Sequence, residues 1–165
     1  MFYNCKSLKE LNLSNFDTSS VTDMSFLFTD CNSLKKLDLS GFNTANVEDM
    51  HSMFNGCYLL EELDLSDWNV SNVLNMGYMF TGCNTLKKLD LSSFDTSSIK
   101  YMSHIFSSCK KLKELDLSNF NTSGITDMSY IFCNCYSLQK LNLSGWDTTN
   151  VTSMDNMFSE CTSLT

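Results

Sequence analysis

Apolar residues recur along the chain on a fixed step of 26. Cys5, Cys31, Cys57, Cys83, Cys109, Cys135 and Cys161 keep that step, and so do Phe2, Phe28, Phe54, Phe80, Phe106, Phe132 and Phe158. One unit reads Leu34-x-x-Leu37-x-Leu39-Ser40-x-Phe42-x-Thr44-x-x-Val47-x-x-Met50-x-x-Met53-Phe54-x-x-Cys57. The alternation of Leu37, Asp38, Leu39 and Ser40 predicts a short half-buried strand. Met50, Met53, Phe54 and Cys57 stand at i, i+3, i+4 and i+7, the spacing of the inward stripe of a short helix. A corner at Phe42-Asn43-Thr44 joins the two. No single unit can bury its apolar columns alone, so the units must stack into a solenoid.

Six periods of 26 fill 156 of the 165 residues, and the last nine return to the opening phase, so that Met157–Thr165 corresponds to Met1–Lys9. No residue is inserted or deleted, and a single insertion would push a whole turn out of register. Met1 occupies the column of Met53, Met79 and Met157. The expectation is therefore a single array over residues 1–165, cut from a longer one. Further repeats or a partner would then cover the two end turns, since solenoids normally carry polar caps.

Composition sharpens the picture. The nineteen acids face eleven bases, all lysine, for a net charge of −8. That balance excludes a nucleic-acid binder, which needs clustered positive charge. No apolar run approaches the roughly 20 residues of a membrane-spanning helix, and the opening Met1-Phe2-Tyr3-Asn4-Cys5 has no secretory pattern. The absence of proline matches a period without interruption.

The segment Leu34-x-x-Leu37-x-Leu39 fits the leucine-rich-repeat strand signature. The whole unit, with motifs such as Phe16-Asp17-Thr18-Ser19-Ser20-Val21-Thr22-Asp23-Met24, resembles the repeat of the BspA-like leucine-rich-repeat surface proteins, including the lipoprotein-type repeats of mycoplasmas. The resemblance runs through the whole chain. It implies an α/β repeat solenoid, a leucine-rich-repeat-like right-handed stack with one short parallel strand and one short helical turn per 26 residues. It also implies display at the cell surface or outside the cell, and adhesion to a host, matrix or neighbouring-cell protein. No catalytic residue and no cofactor are implied. The alternative is a structural rod or lattice subunit packing against adjacent subunits. Where common leucine-rich repeats place Asn or Cys after the strand, this chain has Phe16, Phe42, Trp68, Phe94, Phe120 and Trp146.

Candidate chemistry is sparse. The seven periodic cysteines read as a buried ladder of free thiols, whereas Cys133 falls in a column of Tyr3, Thr29, Asn55, Thr81, Ser107 and Ser159 and is expected to be an exposed, oxidisable thiol. The serines Ser14, Ser40, Ser66, Ser92, Ser118 and Ser144 recur in every turn, which marks scaffold rather than a nucleophile. Three outward columns on two segments hold the candidate protein-binding positions. On the strand, Glu10, Lys36, Glu62, Lys88, Glu114 and Lys140 alternate in sign, beside the carboxylates Asp38, Asp64, Asp90 and Asp116. Four carboxylates in a flat ladder give too few ligands around one point for calcium, so no metal site is expected. In the helical segment, Phe26, Tyr78 and Tyr130 share a column with Ser52, His104 and Asn156, and exposed aromatics suit partner contact. The column of Thr18, Thr44, Thr96, Thr122 and Thr148 is broken by Val70 and gives one threonine per turn, too sparse for an ice-binding face.

Overall fold

The computed structural model describes residues 1–165. The chain coils with the expected period, and equivalent residues of successive turns lie side by side. Strand β1 (Glu10–Asn12) pairs in parallel with β2 (Lys36–Asp38), and β3 (Glu114–Asp116) with β4 (Lys140–Asn142). The registers Leu11↔Leu37 and Leu115↔Leu141 are one period apart. The equivalent segments 62–64 and 88–90, in the middle of the array, are not paired as strands. A second ladder of parallel bridges runs along the other side of the coil, through Asp23, Asp49, Asn75 and Tyr101, and again between Asp127 and Ser153.

The helical turn expected from the Met-Met-Phe-Cys stripe is absent, and the chain contains no helix. Tandem β-turns stand in its place. Met53 N–H donates to the Met50 carbonyl, Asn55 to Ser52 and Cys57 to Phe54. The third residues of two of these turns, Ser52 and Gly56, have φ of 54° and 75°, as a type II turn requires. Alternate amides do something a helix cannot. Met50, Ser52, Phe54 and Gly56 donate to the carbonyls of Asn75, Gly77, Met79 and Thr81 in the next turn. A helix satisfies its amides within itself, whereas these turns use half of theirs to hold the stack together. The two turns with positive φ at Ser52 and Gly56 start four residues apart and put Met50, Met53, Phe54 and Cys57 on one face, so the inward stripe survives without the helix.

That stripe builds the core. Phe28, Phe54, Phe80, Phe106 and Phe132 are fully buried and stack nearly parallel, with centroid steps of 5.7 to 5.8 Å. Parallel offset rings at this separation are a favoured aromatic geometry. Beside them the cysteines form a second ladder, and all eight are free thiols. Each interior thiol donates to the carbonyl of the phenylalanine one turn back, as in Cys57 Sγ to Phe28 O at 3.3 Å and Cys109 Sγ to Phe80 O at 3.3 Å. Cysteine is small enough for the column and still has a donor to satisfy that buried carbonyl. Burial pushes the Cys83 and Cys109 thiols well up and that of Cys135 up to about 12.

Cys133 departs from expectation. It is buried, and burial raises its thiol as well. Its column is not a surface column, because the hydroxyls there fold onto the next turn, as Thr81 Oγ1 does to His104 O at 2.6 Å. Thr18, Thr44, Thr96 and Thr122 of the threonine column are buried too, while Thr148 is exposed, and the column ties corners together. Thr44 Oγ1 donates to the Asn69 carbonyl at 2.9 Å and accepts from the Asn69 amide at 2.9 Å.

Candidate functional site

The strand-side column is built from turn formers. Each Asx residue of the column accepts the backbone amide of the serine two residues on: Asp38 from Ser40 at 3.1 Å, Asp90 from Ser92 at 3.0 Å, Asp116 from Ser118 at 2.9 Å. Asp64 also receives the Ser66 hydroxyl at 2.7 Å. These are Asx turns, which lead the chain off the strand. Hydrogen bonds from the paired serine hold the carboxyls of Asp38, Asp64, Asp90 and Asp116 below their usual range. The recurring Ser and the recurring Asp thereby both have a role in the turn itself.

The alternating charges pair only where the strands pair. Lys36 reaches Glu10 at 3.6 Å and Lys140 reaches Glu114 at 2.7 Å. In the unpaired middle the next column takes over, with Lys87 on Glu61 at 2.7 Å, while Glu62 and Lys88 are exposed and form no ion pair. The unpaired stretch leaves an open trough of about 830 Å³ lined by Lys87, Lys88, Asp90, Lys113, Glu114 and Asp116, among others. Its charges balance, and it presents a mixed polar surface. No group of three or more His, Cys, Asp or Glu side chains comes together as a metal site.

The aromatic column becomes more than its sequence suggested. Phe26, Tyr78 and Tyr130 would stand two turns apart, but two histidines fill the gaps. His104 stacks between Tyr78 and Tyr130, with centroids 4.3 and 4.5 Å away and ring planes within 10°. His51, one residue before the buried Ser52, bridges Phe26 and Tyr78 edge-to-face at 5.1 and 5.4 Å. The result is a continuous row of five rings across five turns. Asn156 extends it by donating to the Tyr130 hydroxyl at 2.9 Å. Phe26 is exposed and the other four rings are half-buried. Burial lowers the His104 pKa, and Asp127 opposes the shift.

The backbone turns these rings outward. Phe26, Tyr78, His104 and Tyr130 all sit in the left-handed region, with φ from 56° to 60°. That region costs a residue with a bulky side chain about 1–2 kcal/mol. Ser52 and Asn156 hold the same position with φ of 54° and 53°, so the turn needs no ring. Stacking between rings offsets part of the strain.

Two of the columns expected to bind are therefore placed on different sides of the coil, and the structure joins only the aromatic one into a continuous surface. His51 was missed in the sequence because it lies one position off the aromatic column. The signal available was the gap at Ser52, with His51 beside it.

The family described as "Mycoplasma protein of unknown function, DUF285" matches residues 1–113 and 83–165. No curated protein matches the chain. Among solved structures, the T. pallidum leucine-rich repeat protein (TpLRR) is similar at 20% identity, over 86% of this chain and 59% of that one, with a TM-score of 0.51. A leucine-rich repeat protein from Bacteroides ovatus is 24% identical over 85% of this chain and 38% of that one, with a TM-score of 0.49. The chain thus spans less than two thirds of the length of either. The first likeness supports a repeat solenoid, and at these identities fold alone is carried over.

Proposed function

The chain belongs to the DUF285 family of mycoplasma proteins, built on the BspA-like leucine-rich repeat, and from that premise we propose that it is a cell-surface module that adheres to a host, matrix or neighbouring-cell protein. The observation that carries the reading is the row of five rings. It is aromatic, partly exposed, extended over five turns, and built at a backbone position where a smaller residue would do. Scaffold needs alone do not place strained aromatics on a surface, whereas partner recognition draws on them. Side chains here converge in rows, as suits a flat protein partner.

Tyr78→Asn with Tyr130→Asn removes the row while keeping a residue that the left-handed turn accepts. Beads coated with the wild-type chain should attach to host cells or matrix proteins, and the double variant should lose most of that attachment. Lys88→Ser with Asp90→Ser, on the strand side, should retain it. Full attachment by the Tyr78→Asn, Tyr130→Asn double variant would reject the reading.

A further inference from the structure

The charges of the chain are sorted by side. Residues 21–31 and their equivalents in later turns, which carry the ring row, hold seven of the nineteen acids but only one of the eleven lysines, Lys100. That side alone accounts for −6 of the net −8, since seven acids less one lysine leaves six. The other ten lysines fall outside these segments, most of them in the stretch that leads into and through the strands. Asp23, Asp49 and Asp127 stand three residues or fewer before the rings, and Asp30 and Glu160 four residues after the ring positions; the first three each give one carboxylate oxygen to the amide two residues on, at 2.7 to 2.8 Å, and Asn75 reaches the other oxygen of Asp49 at 3.4 Å. Asp49 and Asp30 are half-buried and the other three exposed. Asp127 is close enough to His104 to raise its pKa against burial.

The rings themselves limit what can dock. Tyr78, His104 and Tyr130 cover one another's faces, so the row offers edges, not the open faces on which a sugar or a base would stack. The acids lie toward the two ends of the row, since residues 73–83 and 99–109, around Tyr78 and His104, hold none; ring edges with carboxylates at both ends suit a side chain with an apolar stem and a cationic head. Lysine and arginine lay such stems along apolar surface and keep the head in water or on a carboxylate. Resting on the reading of this row as the binding face, we propose that its partner is a basic protein segment, rich in Lys and Arg, that lies along the rings with its charges on the flanking acids. Charge complementarity of this kind raises the encounter rate and excludes acidic partners.

The test uses the intact chain and a defined probe, a twelve-residue peptide alternating Lys or Arg with Gly and Ser, titrated by fluorescence anisotropy at low and physiological salt. Binding should weaken as salt rises. Asp49→Asn with Asp127→Asn should weaken it about fivefold or more, as the loss of two flanking charges implies, and Tyr78→Asn with Tyr130→Asn should weaken it at every salt concentration. Glu62→Gln with Asp64→Asn removes the same net charge from the strand side and should leave binding unchanged. An equal loss in that control would show unspecific attraction to a net-negative chain and overturn the proposal, as would equal binding of a matched peptide with Glu in place of every Lys and Arg. If no basic peptide binds while the ring variant still loses cell attachment, the partner chemistry fails and the adhesive reading stands.

Discussion

Phe80 is the most direct probe of how the stack is held. Its side chain is fully buried, and its ring is sandwiched between Phe54 and Phe106 with centroids at 5.8 Å on each side. Phe158 has the same place in the last full turn, but it is 43% exposed and has one stacked neighbour, Phe132, at 5.6 Å. Truncating a buried Phe costs about 3–5 kcal/mol, through lost transfer energy and the cavity left behind. Phe80→Ala forfeits two stacked contacts and leaves a hole closed on both sides, which places it at the upper end of that range. Phe158→Ala forfeits one contact, roughly half the transfer term and no closed cavity, so it should cost about 1–2 kcal/mol. With a urea slope of about 2 kcal/mol per molar, Phe80→Ala should lower the unfolding midpoint by roughly 2 M and Phe158→Ala by less than about 1 M. Circular dichroism follows both. Equal losses at the two positions would refute a core in which each turn is stabilised by its immediate neighbours.

Thiol reactivity should follow the core in the same way: Cys83 and Cys109 stay unlabelled by a thiol reagent in the native chain, Cys133 reacts slowly rather than first, and all eight react in denaturant, with site-resolved mass spectrometry as the readout. Raised thiol pKa values stabilise the fold below the ordinary value of 9.0, and that contribution is lost as pH climbs through about 12 for Cys135. Lowered carboxyl pKa values at Asp38, Asp64 and Asp116 work oppositely: their contribution is present above the ordinary 3.8 and disappears as pH falls below it. Melting temperature against pH should accordingly show a plateau with falls at both ends, and a sharp maximum near neutrality would contradict it. His104 should titrate below 6.5 by NMR, and Tyr78→Asn with Tyr130→Asn, which uncovers its ring, should bring it back toward that value.

The fold was legible wherever periodicity alone decided it. The 26-residue step of Cys and Phe set the register later seen between Leu11 and Leu37, and the inward columns could be assigned from apolar spacing. What could not be separated in the sequence was a helix from tandem turns, because both put Met50, Met53, Phe54 and Cys57 on one face. Hydrogen bonding between turns decided for the latter, and it becomes visible only once the next turn is in place. Polar columns misled for a related reason. Thr44 and Thr81 look like surface residues, yet their hydroxyls are spent on carbonyls of the following turn, and that environment buries Cys133. The Asp-x-Ser spacing was readable as an Asx turn, and its recognition would have removed much of the strand-side column from the candidates. The ring row was half visible: Phe26, Tyr78 and Tyr130 share a column, but His51 joins them only because the turn beside Ser52 projects it into the gap.

Position-specific photo-crosslinking tests the binding face most directly. Replacing Tyr78 with p-benzoylphenylalanine sets a reactive ring in the row, and replacing Lys88 sets the same group in the strand-side trough. Each intact chain is bound to host cells and illuminated. The expected result is a discrete protein adduct from position 78, suppressed by excess wild-type chain, and none from position 88. An adduct confined to position 88 would contradict the assignment of the ring row as the surface that meets the partner.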